Sequence, residues 1–150
     1  MIDIGRHSTV TVVIPFKDRI DLLRKTISSL QNQSLDTWVA ILIDDGSQPE
    51  SVQVVRELSD ADGRLMVLAR EGDRRGPSAC RNQGAAVAST PLLMFLDSDD
   101  LLLPDALARG VETMARNLDT DFCIFSSLAF SDDENTTTQW TTDWTGSSDL

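Results

Sequence analysis

The run Phe95-Leu96-Asp97-Ser98-Asp99-Asp100 sets three carboxylates within four positions, directly after an apolar segment, Leu92 to Leu96. Carboxylates held this close raise one another's pKa unless a cation or an array of donors compensates. The simplest compensator is a hard divalent ion. Magnesium and manganese take oxygen ligands and are commonly held by one or two carboxylates plus the phosphates of a substrate. The acidic run therefore points to a nucleotide-diphosphate partner. A plainer reading stands beside it, in which Ser98, Asp99 or Asp100 caps the helix that begins near Pro104. Composition alone leaves both open.

Two other groups carry candidate chemistry. Asp44-Asp45-Gly46-Ser47 reads as a turn, with a permissive Gly46 and side-chain bonds to nearby amides, and equally as a site where an aspartate accepts hydrogen bonds from a nucleobase or ribose. Arg70, Arg74, Arg75 and Arg81 gather in an otherwise acidic protein, as a local anion site or as a solvated loop. Arg74-Arg75-Gly76-Pro77-Ser78 opens a helix, whose free backbone amides and flanking guanidinium groups suit a phosphate. Arg81 and Asn82, in the first turns of that helix, are either surface residues or partners of the same diphosphate.

The elements that must position these groups alternate. Val10 to Ile14, a β-branched run ending at Pro15, precedes a helical spacing of Ile20, Leu23, Ile27 and Leu30, with Asp18 or Asp21 placed to cap. A second apolar strand, Val39 to Ile43, leads into a helix over about Glu50 to Leu58. Leu65 to Ala69 is a third strand, Pro77 to Val87 a small-residue helix with proline in its first turn, and Leu92 to Leu96 a fourth strand. Pro104 to Asn117 reads as helix and Asp121 to Phe130 as a last strand. Apolar strands alternating with helices imply an α/β fold, a mainly parallel sheet with helices on both faces. In such sheets ligands bind beyond the carboxyl ends of the strands. The loops found there are Pro15-Phe16-Lys17-Asp18, Asp44 to Ser47, Arg70 to Ser78 and Asp97 to Asp100, so the unusual chemistry falls on one edge.

Size and charge narrow the classes. The chain has 150 residues, 41% of them apolar, enough for one domain with a real core. A net charge of −11 argues against a general nucleic-acid binder, which needs clustered Lys and Arg. Cys80 and Cys123 indicate neither a disulfide framework nor a zinc spacing, and a reducing cytosol fits best. No run reaches the roughly 18 apolar residues of a membrane helix, so any work at a membrane is expected to be peripheral, at its inner face.

Assembled in order, these motifs resemble the N-terminal, nucleotide-sugar-binding half of the GT-A-type glycosyltransferases of family 2, over roughly residues 9 to 118. The opening strand and turn resemble Val12-Val13-Ile14-Pro15-Phe16-Lys17-Asp18-Arg19, and the acidic turn resembles Ile43-Asp44-Asp45-Gly46-Ser47. The later signature resembles Gly76-Pro77-Ser78-Ala79-Cys80-Arg81-Asn82-Gln83-Gly84, and the metal motif Phe95 to Asp100 followed by Leu103-Pro104-Asp105.

The resemblance implies a Rossmann-like GT-A fold and transfer of a sugar, with inversion, from a UDP-, GDP- or dTDP-sugar to an acceptor hydroxyl. The acceptor would be a saccharide, a lipid-linked sugar or another alcohol, as in the making of cell-surface polysaccharide. It places Pro15 and Asp45 by the nucleobase, with Asp44 supporting that turn, and Arg81 near the base or diphosphate. Asp97 falls toward the ribose or the metal, Asp99 is the direct ligand of Mn2+ or Mg2+, and Asp100 orients the pair.

Phe16 and Lys17 stand where a small residue and an aromatic are usual, and Cys80 replaces a customary alanine. The family's general base, an acid in a later Glu-Asp type motif, has no match, and Asp132, Asp133, Glu134 and Asp143 read as a solvated loop. The expectation is a donor-binding portion. It comprises an extension over 1–8, the nucleotide-sugar-binding domain over 9–130, and a loop or tail over 131–150 leading toward an acceptor half, with the base beyond Leu150. A donor-binding relative without catalysis is the main alternative. A haloacid-dehalogenase-type phosphatase fits poorly, because its Asp-x-Asp follows the first strand. A receiver-like module places its acidic pair after strand one. A dinucleotide oxidoreductase needs a Gly-x-Gly-x-x-Gly between strand and helix that this chain lacks.

Overall fold

Seven consecutive buried residues, Val10–Phe16 (β1), form the axis of the sheet in the computed structural model, which describes residues 8–117, 119–125, 127–130 and 137–140. β1 pairs in parallel with Trp38–Asp44 (β2) on one side, Val10 opposite Trp38 and Phe16 opposite Asp44, and with Leu92–Phe95 (β4) on the other, Val13 opposite Phe95. Leu65–Ala69 (β3) pairs in parallel with β2, giving the order β3-β2-β1-β4. The flanking helices are Ile20–Gln31 (α1), Pro49–Ala61 (α2) and Pro77–Val87 (α3). Chain order steps outward from β1 to β2 to β3 and then returns past both to β4. Right-handed crossovers therefore put α1 and α2 on one face and α3 on the other.

Alternation along the strands builds the two cores. Val13, Ile41, Ile43 and Cys80 pack together under α3, with Leu68 against them. Gly84 lets α3 come this close: a Cβ there would overlap the Val13 side chain, with Cγ2 at 2.8 Å. Leu23, Ile27 and Leu30 of α1 and Val55 of α2 are likewise buried.

Pro15 lies inside β1, one residue beyond the expected end of the strand, and is opposite Ile43. Val13 O accepts the last bond from the β4 side, from Leu96 N at 3.1 Å, and the alternation of the strand turns the Pro15 nitrogen to that same side. The next rung would need a donor at Pro15, and the imide has none.

The segment after β4 is clasped to α1 and its end. Gln33 Nε2 donates to Leu103 O at 2.7 Å, its Oε1 accepts from Leu107 N at 3.0 Å, Ser34 N donates to Pro104 O, and Leu102 N donates to Ser29 Oγ.

The residues up to Leu107 form one compact unit and those from Ala108 another. The second holds most of Ala106–Arg116 (α4) and an antiparallel pair, Ser127–Phe130 (β5) with Thr137–Trp140 (β6). Two expectations change here. The last strand covers only Ser127–Phe130, because residues 119–125 form turn and irregular backbone in which Phe122 and Ile124 are exposed: an apolar run alone does not make a strand. Within the stretch read as loop or tail, Thr137–Trp140 is a strand, its β-favouring residues made regular by pairing with β5. Asp132, Asp133, Glu134, Asp143 and Trp144 lie outside the described residues.

Candidate donor site at the carboxyl edge

Because β1 to β4 are parallel, their carboxyl ends share one edge, and the order reverses between β1 and β4. That reversal opens the crevice in which open α/β sheets bind ligands. Asp97 and Asp99 follow β4 directly, and Asp100 N donates to Asp97 O at 3.1 Å, closing a turn over the acidic run. α4 begins only at Ala106, six residues beyond Asp100.

Each of the two leading acids meets an arginine. Arg81, on α3, bonds Asp97 Oδ1 through NH2, and Arg19 NH1 lies 3.1 Å from Asp99 Oδ2. Among the described residues no arginine pairs with Asp100, and its carboxyl is pushed above the usual range, first by burial and then by the charges of Asp97 and Asp99. At Asp100 the repulsion expected of the cluster adds to burial.

Across the crevice the acidic turn is held by several bonds. Asp44 Oδ1 accepts from Ser47 N at 2.8 Å and Asp45 N donates to Phe16 O at 2.9 Å. Asp45 holds the loop that precedes α3: Arg70 Nε donates to its Oδ1 at 2.6 Å and Gly76 N to its Oδ2 at 3.0 Å. Arg70 NH1 donates in turn to Gly72 O and Arg74 O. Arg70 is thus a structural tie and not part of an open anion site, whereas Arg74 and Arg75 are exposed.

Asp18 does not cap α1. Its N–H donates to Ser47 Oγ at 2.8 Å and its Oδ1 accepts from Gln48 N at 2.9 Å, and that amide bond, followed by the Ser51 hydroxyl, holds its carboxyl below the usual range. The N-cap of α1 is Arg19, in the left-handed conformation with no side-chain cap. Cys80 is buried, and burial pushes its thiol up, away from the reactive thiolate.

The structure thus brings Asp44 and Asp45 together in one turn, Arg81 with Asp97, and Asp99 with Arg19, all at one edge, with Pro15 buried in β1 beside that turn. Arg19 and Arg70 are the site residues whose contacts the sequence did not assign. Register would have found Arg70, since Asp44 opposite Ala69 sets residue 70 beside residue 45.

The family model for glycosyl transferase family 2 matches residues 11–147. The chain belongs to that family. A GalNAc(5)-diNAcBac-PP-undecaprenol beta-1,3-glucosyltransferase of Campylobacter jejuni is 35% identical over 99 residues, 66% of this chain and 32% of that protein. The succinoglycan biosynthesis protein ExoU of Rhizobium meliloti is 34% identical over 100 residues, 67% of this chain and 29% of its own length. The chain therefore spans about a third of the length of these two relatives. Among solved structures, a Pyrobaculum calidifontis mannosyltransferase in complex with GDP-Man and Mn2+ superposes with a TM-score of 0.65 at 22% identity, covering 77% of this chain and 34% of that one. Staphylococcus aureus TarS in complex with UDP-GlcNAc gives 0.66 at 22% identity, covering 73% of this chain and 32% of its own. These likenesses establish the fold as that of the GT-A glycosyltransferases.

A divalent ion of the kind this glycosyltransferase fold implies suits the residues present. Asp97 and Asp99 offer exposed carboxylates facing guanidinium groups, that of Arg81 half-buried and that of Arg19 exposed, an arrangement that suits exchange of partners. Among the described residues no three acidic, His or Cys side chains stand close enough to hold a metal by themselves.

Proposed function

We propose that this chain is the donor-binding part of a metal-assisted, inverting glycosyltransferase, which moves a sugar from a nucleoside diphosphate to an acceptor hydroxyl. The observation that carries the reading is the convergence of the acidic turn, Arg81 and the Asp97/Asp99 pair about one switch point, in a member of glycosyl transferase family 2. Pro15 and Asp45 lie by the base and Asp44 fixes their turn. Asp45 spends one contact per oxygen on Arg70 and Gly76 and keeps further acceptor capacity for a base N–H.

Asp97 and Asp99 would hold Mn2+ or Mg2+, which supplies electrophilic offset of the charge on the diphosphate leaving group. Arg81 stands beside the same diphosphate and steadies it. Direct attack of the acceptor hydroxyl inverts the anomeric centre. The donor is a UDP-, GDP- or dTDP-sugar, and the acceptor a saccharide, a lipid-linked sugar or another alcohol on the way to cell-surface polysaccharide. No helix among the described residues is long and apolar enough to cross a membrane, and we place the work in the cytoplasm, peripheral to the membrane's inner face.

Thermal unfolding with UDP, GDP, dTDP and NAD, each with and without manganese, tests the reading. A ligand at 100 times its dissociation constant adds about 2.7 kcal/mol, which for a chain of this size is a shift of several degrees. A shift with one nucleoside diphosphate that needs manganese supports the donor site and names the base. Failure of every nucleotide to shift the transition overturns it. Sugar transfer measured with the matching donor then separates a working enzyme from a binding relative.

A further inference from the structure

Asp18 and Arg19 are consecutive non-glycine residues with positive φ, 51° and 52°. Left-handed backbone is uncommon at such residues and persists where the surroundings enforce it. Here the acidic turn enforces it, through the bonds of Ser47 Oγ and Gln48 N to Asp18. The result aims Arg19, which follows β1, at Asp99, which follows β4. Its side chain spans the mouth of the crevice between the two strands that flank the switch point.

The two arginines opposite the acidic pair differ. Arg81 rises from the first turns of α3 and its side chain is 29% exposed, whereas that of Arg19 is 60% exposed, and Asp99 is 42% exposed. An exposed pair of this kind is weakly held and readily exchanged.

Resting on the donor-site reading above, we propose that Arg19 is the resident counter-ion of Asp99, a guanidinium that occupies the metal's oxygen until a nucleoside diphosphate arrives to receive it. Metal and guanidinium compete for Asp99 Oδ2, so the ion alone meets an occupied ligand. The diphosphate offers Arg19 a better, bidentate acceptor and frees the carboxylate. Binding of the metal and of the nucleotide are thereby linked, each favouring the other by the same factor.

Titration of Mn2+ alone, followed by the loss of the free-ion EPR signal, tests this. Arg19→Gln, and Arg19→Gly, which suits the left-handed backbone, should bind Mn2+ roughly threefold more tightly than the parent without nucleotide, the worth of one exposed ion pair. In both variants UDP, GDP or dTDP should tighten Mn2+ by a smaller factor than in the parent. Arg24→Gln, which removes an exposed charge from α1, should match the parent. Unchanged or weaker Mn2+ binding in both Arg19 variants overturns the proposal, and so does an equal gain in Arg24→Gln. If Mn2+ binding with nucleotide is lost in Asp99→Asn while the Arg19 variants behave as the parent, the counter-ion role falls and the donor site stands. If the parent binds no Mn2+ even with nucleotide, both fall.

Discussion

The two ends of the parallel sheet use the same pair of residue types to opposite purposes. At the amino end, Arg64 grips Asp62 with three bonds, Nε to Oδ1 at 3.0 Å, NH2 to Oδ2 at 2.9 Å and its backbone N to Oδ1 at 3.1 Å, while Gln31 Nε2 adds a fourth at 3.0 Å. The guanidinium also lies 3.9 Å over the ring of buried Trp38, at the start of β2. With Arg64 as the leading cause, the Asp62 carboxyl is held down to about 2. At the carboxyl end, Asp97 and Asp99 each meet an arginine through one bond, Asp97 the half-buried Arg81 and Asp99 the exposed Arg19. A carboxylate tied by four donors, from a guanidinium itself stacked on a ring, closes a structure; a carboxylate tied once at the surface is ready to change partners. Asp45 stands between the two, its oxygens each used once in a pair that is only 16% and 13% exposed.

Substitutions can break this contrast, and the largest effect is expected at the loosest pair. Asp99→Ala should abolish metal-dependent nucleotide binding by calorimetry while leaving the unfolding midpoint within about a degree, since an exposed pair contributes little to stability. A large fall in midpoint would move Asp99 to the structural class. Asp45→Ala should weaken nucleotide binding with or without metal and also cost roughly 2 to 3 kcal/mol in denaturant unfolding, because Arg70 and Gly76 N lose their acceptor. Equal nucleotide affinity in that variant would remove Asp45 from the base site.

Asp62→Asn should cost about 2 kcal/mol and leave nucleotide binding untouched, the worth of a shift from 3.8 to about 2. Because the folded value is depressed, that stabilisation is complete above 3.8 and is lost as pH falls toward 2, so the stability difference between parent and variant should vanish across this interval. Smallest is Arg64→Lys, which loses the planar fork and the stacking on Trp38, about 1 kcal/mol.

Much of the frame was legible because burial on both faces of a parallel strand leaves continuous apolar runs. Val10 to Ile14, Val39 to Ile43, Leu65 to Ala69 and Leu92 to Leu96 each lead to an observed strand, and the loops after them do share one edge. The acidic turn and Asp97 to Asp100 were visible as charge at strand ends. What stayed hidden depends on strand order and side-chain reach. Asp18 has the type and spacing of a helix cap, but the neighbouring turn claims it. Arg70 reads from sequence as part of an anion site or of a solvated loop, and its tie to Asp45 shows only when β3 is set beside β2. Gln33, apparently an ordinary helix-end polar residue, is 8% exposed and anchors the segment after the acidic run by two bonds that span some 70 positions.

Pro15 gives the crevice a permanence that side-chain contacts alone would not. Two adjacent parallel strands tend to zip as far as their donors allow, and here the zipper meets a missing tooth just past Val13 and Phe95. The notch between β1 and β4 therefore begins where a covalent ring removes the next donor, rather than where a balance of weak contacts fails.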